Sequence, residues 1–159
     1  MKLTQFSDYA LRTLLYLGVH RDRPVPLSEI AQAYGVSYHH LVKIAGMLGE
    51  LGLIDGVRGR AGGYQLTKEL EAINLGWLIR RTEPDFDLVE CFDRKTDTCP
   101  ITPACRLRGA LLEAKDSFLA VLDGYTLADF AAAPQQRLKL VQLWAAGTAE
   151  SGLSRSRTP

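Results

Sequence analysis

Apolar residues recur at helical spacing along most of this chain, and strand-like runs occur at one place. In the first segment, 3–20, apolar side chains lie three and four residues apart, while Ser7, Asp8 and Arg12 fall on another face. A turn that contains two prolines then leads to a short helix, for which Ser28 is the expected N-cap. The pattern therefore predicts two helices joined by a proline turn.

A third helix is predicted over 37–51, and its two faces differ. Ser37 is the expected N-cap, and leucine, isoleucine and alanine residues repeat along one side. Two short helices joined by a glycine-containing turn are typical of a helix-turn-helix, whose second helix enters the DNA major groove. We expect DNA contacts from the polar front edge of this recognition helix and from the two caps: Ser28, Ser37, Tyr38, His39, His40 and Lys43.

Two short β-type runs within 53–66 flank a glycine-rich loop, which reads Arg58-Gly59-Arg60-Ala61-Gly62-Gly63. This arrangement predicts a β-hairpin, and a hairpin directly after a helix-turn-helix forms a wing. The two arginines at its tip, Arg58 and Arg60, are expected to reach phosphates or the adjacent minor groove. The alternative is an exposed helix pair followed by an ordinary β-turn, but the combined pattern favours double-stranded DNA as the partner.

The second half of the chain is predicted to hold a helix over 70–80, a polar loop and then a long helix. The loop, 83–103, is rich in Asp, Thr and Pro. The apolar stripe over 106–122 is longer than one chain of this size is expected to cover, so we assign it to a homodimer interface. The remaining predictions are a short helix capped by Thr126, a helix over 138–144 and a frayed tail over 148–159.

The pattern as a whole predicts a mainly α fold, a winged helix-turn-helix with a small β-hairpin wing and a long dimerisation helix. Four parts are expected along the chain: a DNA-binding domain (1–82), a polar loop that holds all three cysteines (83–105), the dimerisation helix with a short helix after it (106–130), and a C-terminal helix with a flexible tail (131–159).

Composition agrees with a globular protein and excludes several other classes. The chain has 159 residues, of which 47% are hydrophobic and 23% charged, and its mean hydropathy is -0.04. No apolar run approaches the roughly 18 to 20 residues of a membrane helix, and charges interrupt the first segment, which therefore does not resemble a secretory signal. We expect a cytoplasmic protein with no membrane partner.

The net charge of +1 hides an uneven distribution. Residues 1–80 carry a formal charge of +2, residues 81–130 carry -4, and residues 131–159 carry +3. Nucleic-acid-binding domains usually have a basic face, and the weak overall charge is the sum of a mildly basic first half, an acidic middle and a basic end. The near-neutral total is therefore weak evidence against DNA binding.

The three cysteines, Cys91, Cys99 and Cys105, lie in the polar loop or at its exit. An odd number is unsuited to a disulfide framework, and no two of them have the close spacing of a zinc knuckle. Wider spacing on the loop 83–105 suits the larger inorganic core of an iron-sulfur cluster, in which the thiolates bind more than one iron. The alternative is three ordinary thiols, although a polar loop gives little reason to bury them. The pattern favours a cluster and leaves 4Fe-4S and 2Fe-2S open.

Three thiolates leave one ligand position for another residue. Within the loop the candidates are Asp93 and Asp97, since no histidine follows His40. Asp8 is a third candidate if a dimer brings the first helix of one subunit over the loop of the other. Asp8 also has a plainer interpretation, as an exposed helix carboxylate paired with Arg12 four residues on.

These motifs together resemble the family of winged-helix bacterial repressors that includes the iron-sulfur regulator IscR and the nitric-oxide sensor NsrR. The resemblance covers nearly the whole chain. It rests on the opening Phe6-Ser7-Asp8-Tyr9-Ala10-Leu11-Arg12, on Ile30-Ala31 with Val36-Ser37 and Leu41, on the wing sequence Arg58-Gly59-Arg60-Ala61-Gly62-Gly63-Tyr64-Gln65-Leu66, and on the three-cysteine loop.

The resemblance implies that Cys91, Cys99 and Cys105 bind a cluster. IscR-like members have a histidine three residues after the last cysteine, and Arg108 occupies that position here. NsrR-like members use an aspartate of the first helix, supplied across the dimer, and Asp8 stands in its place. The chain thus resembles the NsrR-like branch most, which implies a repressor with a palindromic operator, nitric oxide as effector and genes of nitric oxide detoxification as targets.

Three alternatives accompany this interpretation. The first is a repressor of iron-sulfur assembly or other iron genes within the same family. The second is a thiol oxidoreductase, which the absence of a Cys-x-x-Cys pair and of a glycine-rich phosphate loop disfavours, so we expect no enzyme. The third is a zinc-stabilised interaction module. Anaerobic purification separates these, because a brown protein excludes zinc.

Overall fold

The computed structural model describes residues 2–154, and the side chains of residues 2–147. Its helices and strands follow the order α1 (Gln5–Val19), α2 (Leu27–Tyr34), α3 (Tyr38–Glu50), β1 (Ile54–Val57), β2 (Gly63–Leu66), α4 (Leu75–Thr82), α5 (Arg106–Asp123), α6 (Ala128–Ala131) and α7 (Pro134–Ser154). Short 3-10 turns occur at Leu70–Ala72, Glu90–Phe92 and Thr102–Ala104. The predicted fold class, mainly helical with one small hairpin, is confirmed.

The core lies where α1, α2 and α3 meet, because each of these helices turns its apolar face inward. Leu14 of α1, Ile30 of α2 and Leu48 of α3 are fully buried. The predicted apolar face of the recognition helix is confirmed, since Leu41 and Ile44 are also 1% exposed. Burying one such side chain stabilises the fold by about 1.5–3 kcal/mol, so this cluster fixes the helix-turn-helix.

Two predictions about the ends and faces of the first two helices were wrong. Ser28 is not a cap, because α2 begins at Leu27 and Pro26 takes the N-cap position. Ser7 does not lie on the polar face of α1 but is fully buried. A hydroxyl can be buried when it finds a partner, and Ser7 Oγ donates to Thr82 Oγ1 at 2.8 Å.

The single helix predicted over 70–80 is two elements. A 3-10 turn ends at Ala72, and Ile73 is extended before α4 begins. The Asn74 side chain accepts a hydrogen bond from the Trp77 amide at 2.8 Å and so starts α4 as an N-cap. The apolar repeat continues through the break, so periodicity alone did not reveal it.

The wing is an antiparallel pair of strands that is joined to the helical body. Ile54 pairs with Leu66 and Val57 with Gly63. Val25, in the turn before α2, adds a bridge to Tyr64, with N···O distances of 2.8 and 2.9 Å. Gly63 permits this close approach, because a Cβ atom there would overlap the backbone of Val25. The wing therefore has a fixed position relative to α2.

Helices α5 to α7 complete the described chain. The long helix predicted after the cysteine loop is confirmed as α5. Thr126 does not cap α6 with its own side chain; instead the Asp129 carboxylate accepts from its amide and hydroxyl. The C-terminal helix is longer than the predicted 138–144 and includes 148–154, part of the segment expected to be frayed, whereas 155–159 lie outside the described residues.

The C-terminal helix α7 packs on the helix-turn-helix through one large side chain. Trp144 is 9% exposed and its ring lies 4.5 Å from that of Tyr16 and 5.6 Å from that of Tyr34. Arg137 also donates to the carbonyl oxygen of Val19 at 2.7 Å. In the part of the chain that the structure describes, no helix combines the length and apolar character needed to cross a membrane.

Candidate nucleic-acid interface and cysteine loop

The front edge of the recognition helix α3 is open to solvent. Tyr38 is 49% exposed, and His39, His40 and Lys43 are also exposed. Ser37 takes the predicted N-cap position, but its side chain accepts no cap hydrogen bond and its hydroxyl remains available. The N-terminal side chains and amides of a recognition helix are the groups that meet bases and phosphates. The structure thus brings five of the sequence-predicted DNA residues to one edge.

Ser28 stands apart from that edge in sequence but is also exposed, in the first turn of α2. In a helix-turn-helix the first helix crosses the DNA backbone. A hydroxyl there suits a phosphate contact, although the cap role predicted for Ser28 is lost.

The tip of the wing carries two exposed cations. Gly59 lies between Arg58 and Arg60 with a φ of 120°, a conformation that other residues rarely adopt. Among the described residues neither arginine forms an ion pair with a carboxylate. Unpaired guanidinium groups at the tip of a loop are free to bind phosphate oxygens.

Helix α1 connects the Asp8 carboxylate to the recognition helix. Arg12 binds Asp8 through two contacts of 2.7 and 2.8 Å, which is the plainer of the two sequence interpretations. The Asp8 carboxylate raises the pKa of Arg12 above its ordinary value, mainly by accepting this hydrogen bond. One residue after Asp8, the ring of Tyr9 lies 6.3 Å from the ring of His40 on α3. Asp8 is therefore the sequence neighbour of a residue whose ring lies near the DNA-reading edge of α3.

A polar seam joins the start of α1 to the end of α4. Besides the buried bond between Ser7 and Thr82, the Glu83 carboxylate accepts from the amide of Thr4 at 2.9 Å and from its hydroxyl at 3.1 Å. Since the cysteine loop begins directly after Glu83, this seam fixes where the loop leaves the DNA-binding part.

The far end of α5 is fixed to the same part. Asp123 binds the Arg80 guanidinium through two contacts, of 2.5 and 2.8 Å, and this pairing lowers the pKa of the Asp123 carboxyl. The Asn74 side chain donates to the Asp123 carbonyl at 2.7 Å. Gly76 lies directly beneath, and a Cβ atom there would overlap the Asp123 carboxylate. The end of α5 is thus held by α4 at a defined point.

The three cysteines are free thiols, each of them half-buried. Cys91 lies in the 3-10 turn Glu90–Phe92, and Cys105 is the N-cap of α5. The Cys105 sulfur accepts a hydrogen bond from the Arg108 amide at 3.4 Å. Cysteine sulfurs are the ligands that hold the irons of an iron-sulfur cluster. The donor chemistry therefore suits an iron-sulfur cluster.

The two loop aspartates proposed as fourth ligands are used in local turns. Asp97 accepts from the Cys99 amide and from the Thr102 hydroxyl, both at 3.0 Å. Asp93 accepts from the Lys95 amide at 2.9 Å. Each of these carboxylates has a structural task in its own turn, as the Asp8 carboxylate has in its pair with Arg12.

The structure does not gather the predicted ligands into one site. Among the described residues, no three Cys, His, Asp or Glu side chains form a group that could hold a metal ion. Asp8 lies on α1, with its carboxylate paired to Arg12. The residue types therefore fit a cluster, although the described chain does not bring them together around a single ion.

Sequence reasoning missed several residues that support these surfaces. Ser7 and Thr82 were missed because a hydroxyl inside an amphipathic pattern gives no sign of its partner. Arg108 was considered only because it stands where IscR-like proteins have a histidine. Its side chain in fact donates a hydrogen bond to the Cys91 carbonyl at 3.0 Å. Its spacing from Cys105 was the one signal that could have identified it.

The exposed reading edge, the arginine-tipped wing and the helix-turn-helix core define a winged-helix DNA-binding protein. A family model described as "Rrf2: Iron-dependent Transcriptional regulator" matches residues 3–133. The chain belongs to this family. It is therefore a transcriptional regulator and not an enzyme, as expected from the sequence.

Curated relatives agree with this assignment. The HTH-type transcriptional regulator NsrR of Shouchella clausii is 47% identical over 130 residues, which cover 81% of this chain and 87% of that protein. The protein of the same name from Bacillus subtilis is 44% identical over 146 residues, covering 90% of this chain and 99% of that one. This similarity supports a DNA-binding repressor of the NsrR type.

Solved structures share the fold. CymR, described as the global cysteine regulator of B. subtilis, superimposes with a TM-score of 0.67 at 30% identity, covering 83% of this chain and 97% of that chain. IscR of T. potens has a TM-score of 0.65 at 30% identity, with 81% and 85% covered. The family match ends at residue 133, so helix α7 lies beyond it.

Proposed function

We propose that this regulator is a homodimeric repressor that senses nitric oxide through an iron-sulfur cluster bound by its cysteine loop. The observation that carries the proposal is the loop itself, which holds three free, half-buried thiols between two elements fixed to the DNA-binding part. A loop with that placement is suited to link cluster chemistry to DNA binding. The family resemblance and the NsrR-named relatives support nitric oxide as the effector.

The homodimer is supported by the exposed apolar side chains of α5. Leu107 and Val121 are 66% and 61% exposed, and Leu119 is the one residue of this helix that the chain itself buries. Apolar faces of this kind usually mark an interface between proteins. A dimer with two-fold symmetry reads a palindromic operator, with half-sites about one helical turn or a multiple of it apart.

The proposed DNA contacts divide by type. Tyr38, His39, His40 and Lys43 at the front of α3 face the major groove, where side chains can read base edges. Ser28 and Ser37 suit phosphate contacts, and Arg58 and Arg60 bind phosphates or the minor groove beside the wing. Base contacts give specificity, whereas the phosphate contacts fix position and give a strong salt dependence.

The proposed ligands are Cys91, Cys99, Cys105 and Asp8 of the partner subunit. The bound cluster, 4Fe-4S or 2Fe-2S, would supply iron that reacts with nitric oxide, and the carboxylate is a more exchangeable ligand than a thiolate. Arg12 offers Asp8 an alternative partner at 2.7 Å. The ring of Tyr9, next to Asp8 in sequence, lies near that of His40. Whether Asp8 binds Arg12 or the cluster therefore affects how α1 supports the recognition helix.

The test is a nitric oxide titration of anaerobically purified protein on its own promoter DNA, with visible absorbance and DNA binding followed together. The wild type is expected to be coloured and to release DNA as the absorbance changes. Asp8→Ala should keep part of the cluster absorbance but respond less to nitric oxide, and Asp22→Ala is the matched control for loss of an exposed aspartate.

A colourless protein from anaerobic cells would refute the cluster. If the protein is coloured but nitric oxide does not change its DNA binding, the proposal that nitric oxide is the effector is refuted. That result would favour the alternative, a repressor of iron genes. An Asp8→Ala variant that responds like Asp22→Ala would remove Asp8 from the ligand set.

A further inference from the structure

Arg108 of helix α5 forms a hydrogen bond to the first of the three cysteines in the loop. Its Nε donates to the carbonyl oxygen of Cys91 at 3.0 Å, across 17 residues of sequence. Its own amide donates to the sulfur of Cys105. One residue therefore contacts the two outermost cysteines, one through its side chain and the other through its backbone.

A second contact holds the Cys91 turn against the same helix. Lys115 places its ammonium group 5.8 Å from the centre of the Phe92 ring, next to Cys91. Residues 108 and 115 are seven apart, so both lie on one face of α5. The turn Glu90–Phe92 thus lies along α5 and is anchored by two cations.

Among the residues whose side chains the structure describes, no carboxylate pairs with the charge of Arg108. Its side chain is half-buried. A partly buried charge is normally paired, because desolvation without a counter-charge is costly. The guanidinium has five N–H donors, of which the described contacts use one.

We propose that Arg108 is a positioning residue of the cysteine site, which fixes Cys91 relative to Cys105 and supplies positive charge beside an anionic cluster. The inference rests on the proposed cluster, since three thiolates and a carboxylate around iron give that site a negative charge. Hydrogen bonds and charge near a cluster are among the factors that set its stability and potential.

The test compares Arg108→Gln and Arg108→Lys with Arg106→Gln. Arg106 is an exposed residue two positions earlier, so its substitution removes the same charge from the same helix. In the metal-free protein, hydrogen-deuterium exchange of a peptide covering 88–93 reports whether the Cys91 turn is anchored. In the anaerobic holoprotein, iron release to a chelator and the reduction potential report on the cluster.

Arg108→Gln should increase exchange in the 88–93 peptide, release iron about tenfold faster than the wild type and lower the reduction potential. Arg108→Lys keeps the charge but not the planar donor, so it should restore the potential more fully than the exchange protection. Unchanged exchange in the helices of the DNA-binding part, in each variant, shows that the fold is kept.

The two proposals fail in different ways. If the wild type binds a cluster and Arg108→Gln matches Arg106→Gln in exchange, iron release and potential, the role of Arg108 is refuted while the sensor proposal stands. If the wild type itself binds no cluster under anaerobic conditions, the sensor proposal is refuted, and the role of Arg108 as a positioning residue for a cluster is refuted with it.

Discussion

The DNA-binding part and the cysteine-bearing arm of this molecule are stabilised in opposite ways. The part formed by α1 to α4, residues 5–82, packs its apolar faces against each other, and Ala10, Leu14, Ile30 and Leu48 are fully buried. The arm, residues 83–123, has one buried side chain in its long helix, Leu119. The first part has its own core, whereas the long helix of the arm contributes a single buried side chain to the described chain.

Hydrogen bonding shows the same difference. Side-chain bonds within the loop join residues two to eight apart, such as Asp97 to Cys99 and Thr98 to Glu90, and Arg108 to Cys91 is the exception. Local bonds of this kind hold turns but do not fix the turns relative to each other. The DNA-binding part is thus preformed in the single chain, whereas the proposed function assigns a second subunit and a cluster to the arm.

The largest expected effect is a difference in stability between a core substitution in the DNA-binding part and a surface substitution in the arm. Leu14→Ala should lower the free energy of unfolding by about 3 kcal/mol, because the side chain is fully buried and its loss leaves a cavity. Leu107→Ala should change it by less than about 0.5 kcal/mol per monomer, since Leu107 is exposed. Urea denaturation at low protein concentration measures both.

The same pair of variants distinguishes fold from assembly. Leu107→Ala should weaken the dimer in sedimentation experiments, whereas the helix content should stay unchanged. If Leu107→Ala unfolds the monomer as strongly as Leu14→Ala does, the contrast between the two regions is wrong.

A smaller effect is expected at the seam where the two regions meet. Ser7→Ala removes a buried hydroxyl that donates to Thr82, and should cost about 1–2 kcal/mol of stability. Thr96→Ala in the arm removes an exposed hydroxyl that makes only long bonds to Asp93, of 3.4 and 3.5 Å, and should cost close to nothing. Thermal denaturation of both variants makes the comparison, and equal losses would contradict it.

The smallest effect concerns DNA binding by the preformed part alone. In the metal-free protein, Arg60→Ala should reduce the slope of log K against log salt by about 1, because one phosphate contact is lost. Arg94→Ala removes an exposed cation from the arm and should leave that slope unchanged. Fluorescence anisotropy with non-specific duplex DNA measures the slope, and an equal change for both variants would place the arm on the DNA.

The sequence predicted the DNA-binding part well because its signals are local and repetitive. The spacing of Leu41, Ile44 and Leu48 defines a buried face whatever the partner. The glycines between Arg58 and Tyr64 indicate a tight turn between two short β-type runs, and Gly59 has a φ of 120°, which favours glycine. These constraints are properties of the segment itself, so they can be read from it.

The arm and the seam were harder to predict because their contacts join distant residues. Nothing in the order of residues shows that Ser7 meets Thr82, 75 positions later, or that Arg108 reaches back to Cys91. The break between the two helices near Asn74 depends on a single side-chain cap. The sequence showed which three cysteines are candidate ligands, but it did not show how they are arranged in space.

Helix α5 is attached to α4 at its C-terminal end, far from the cysteine at its N-terminus. The helix has 18 residues, so at 1.5 Å per residue Cys105 lies about 27 Å from the pivot that Asp123 forms with Arg80. A displacement of about 2 Å at Cys105 then corresponds to a rotation of only about 4° at the pivot. A shift of that size at the cysteine end therefore changes the angle between α5 and its attachment point at Arg80 only slightly.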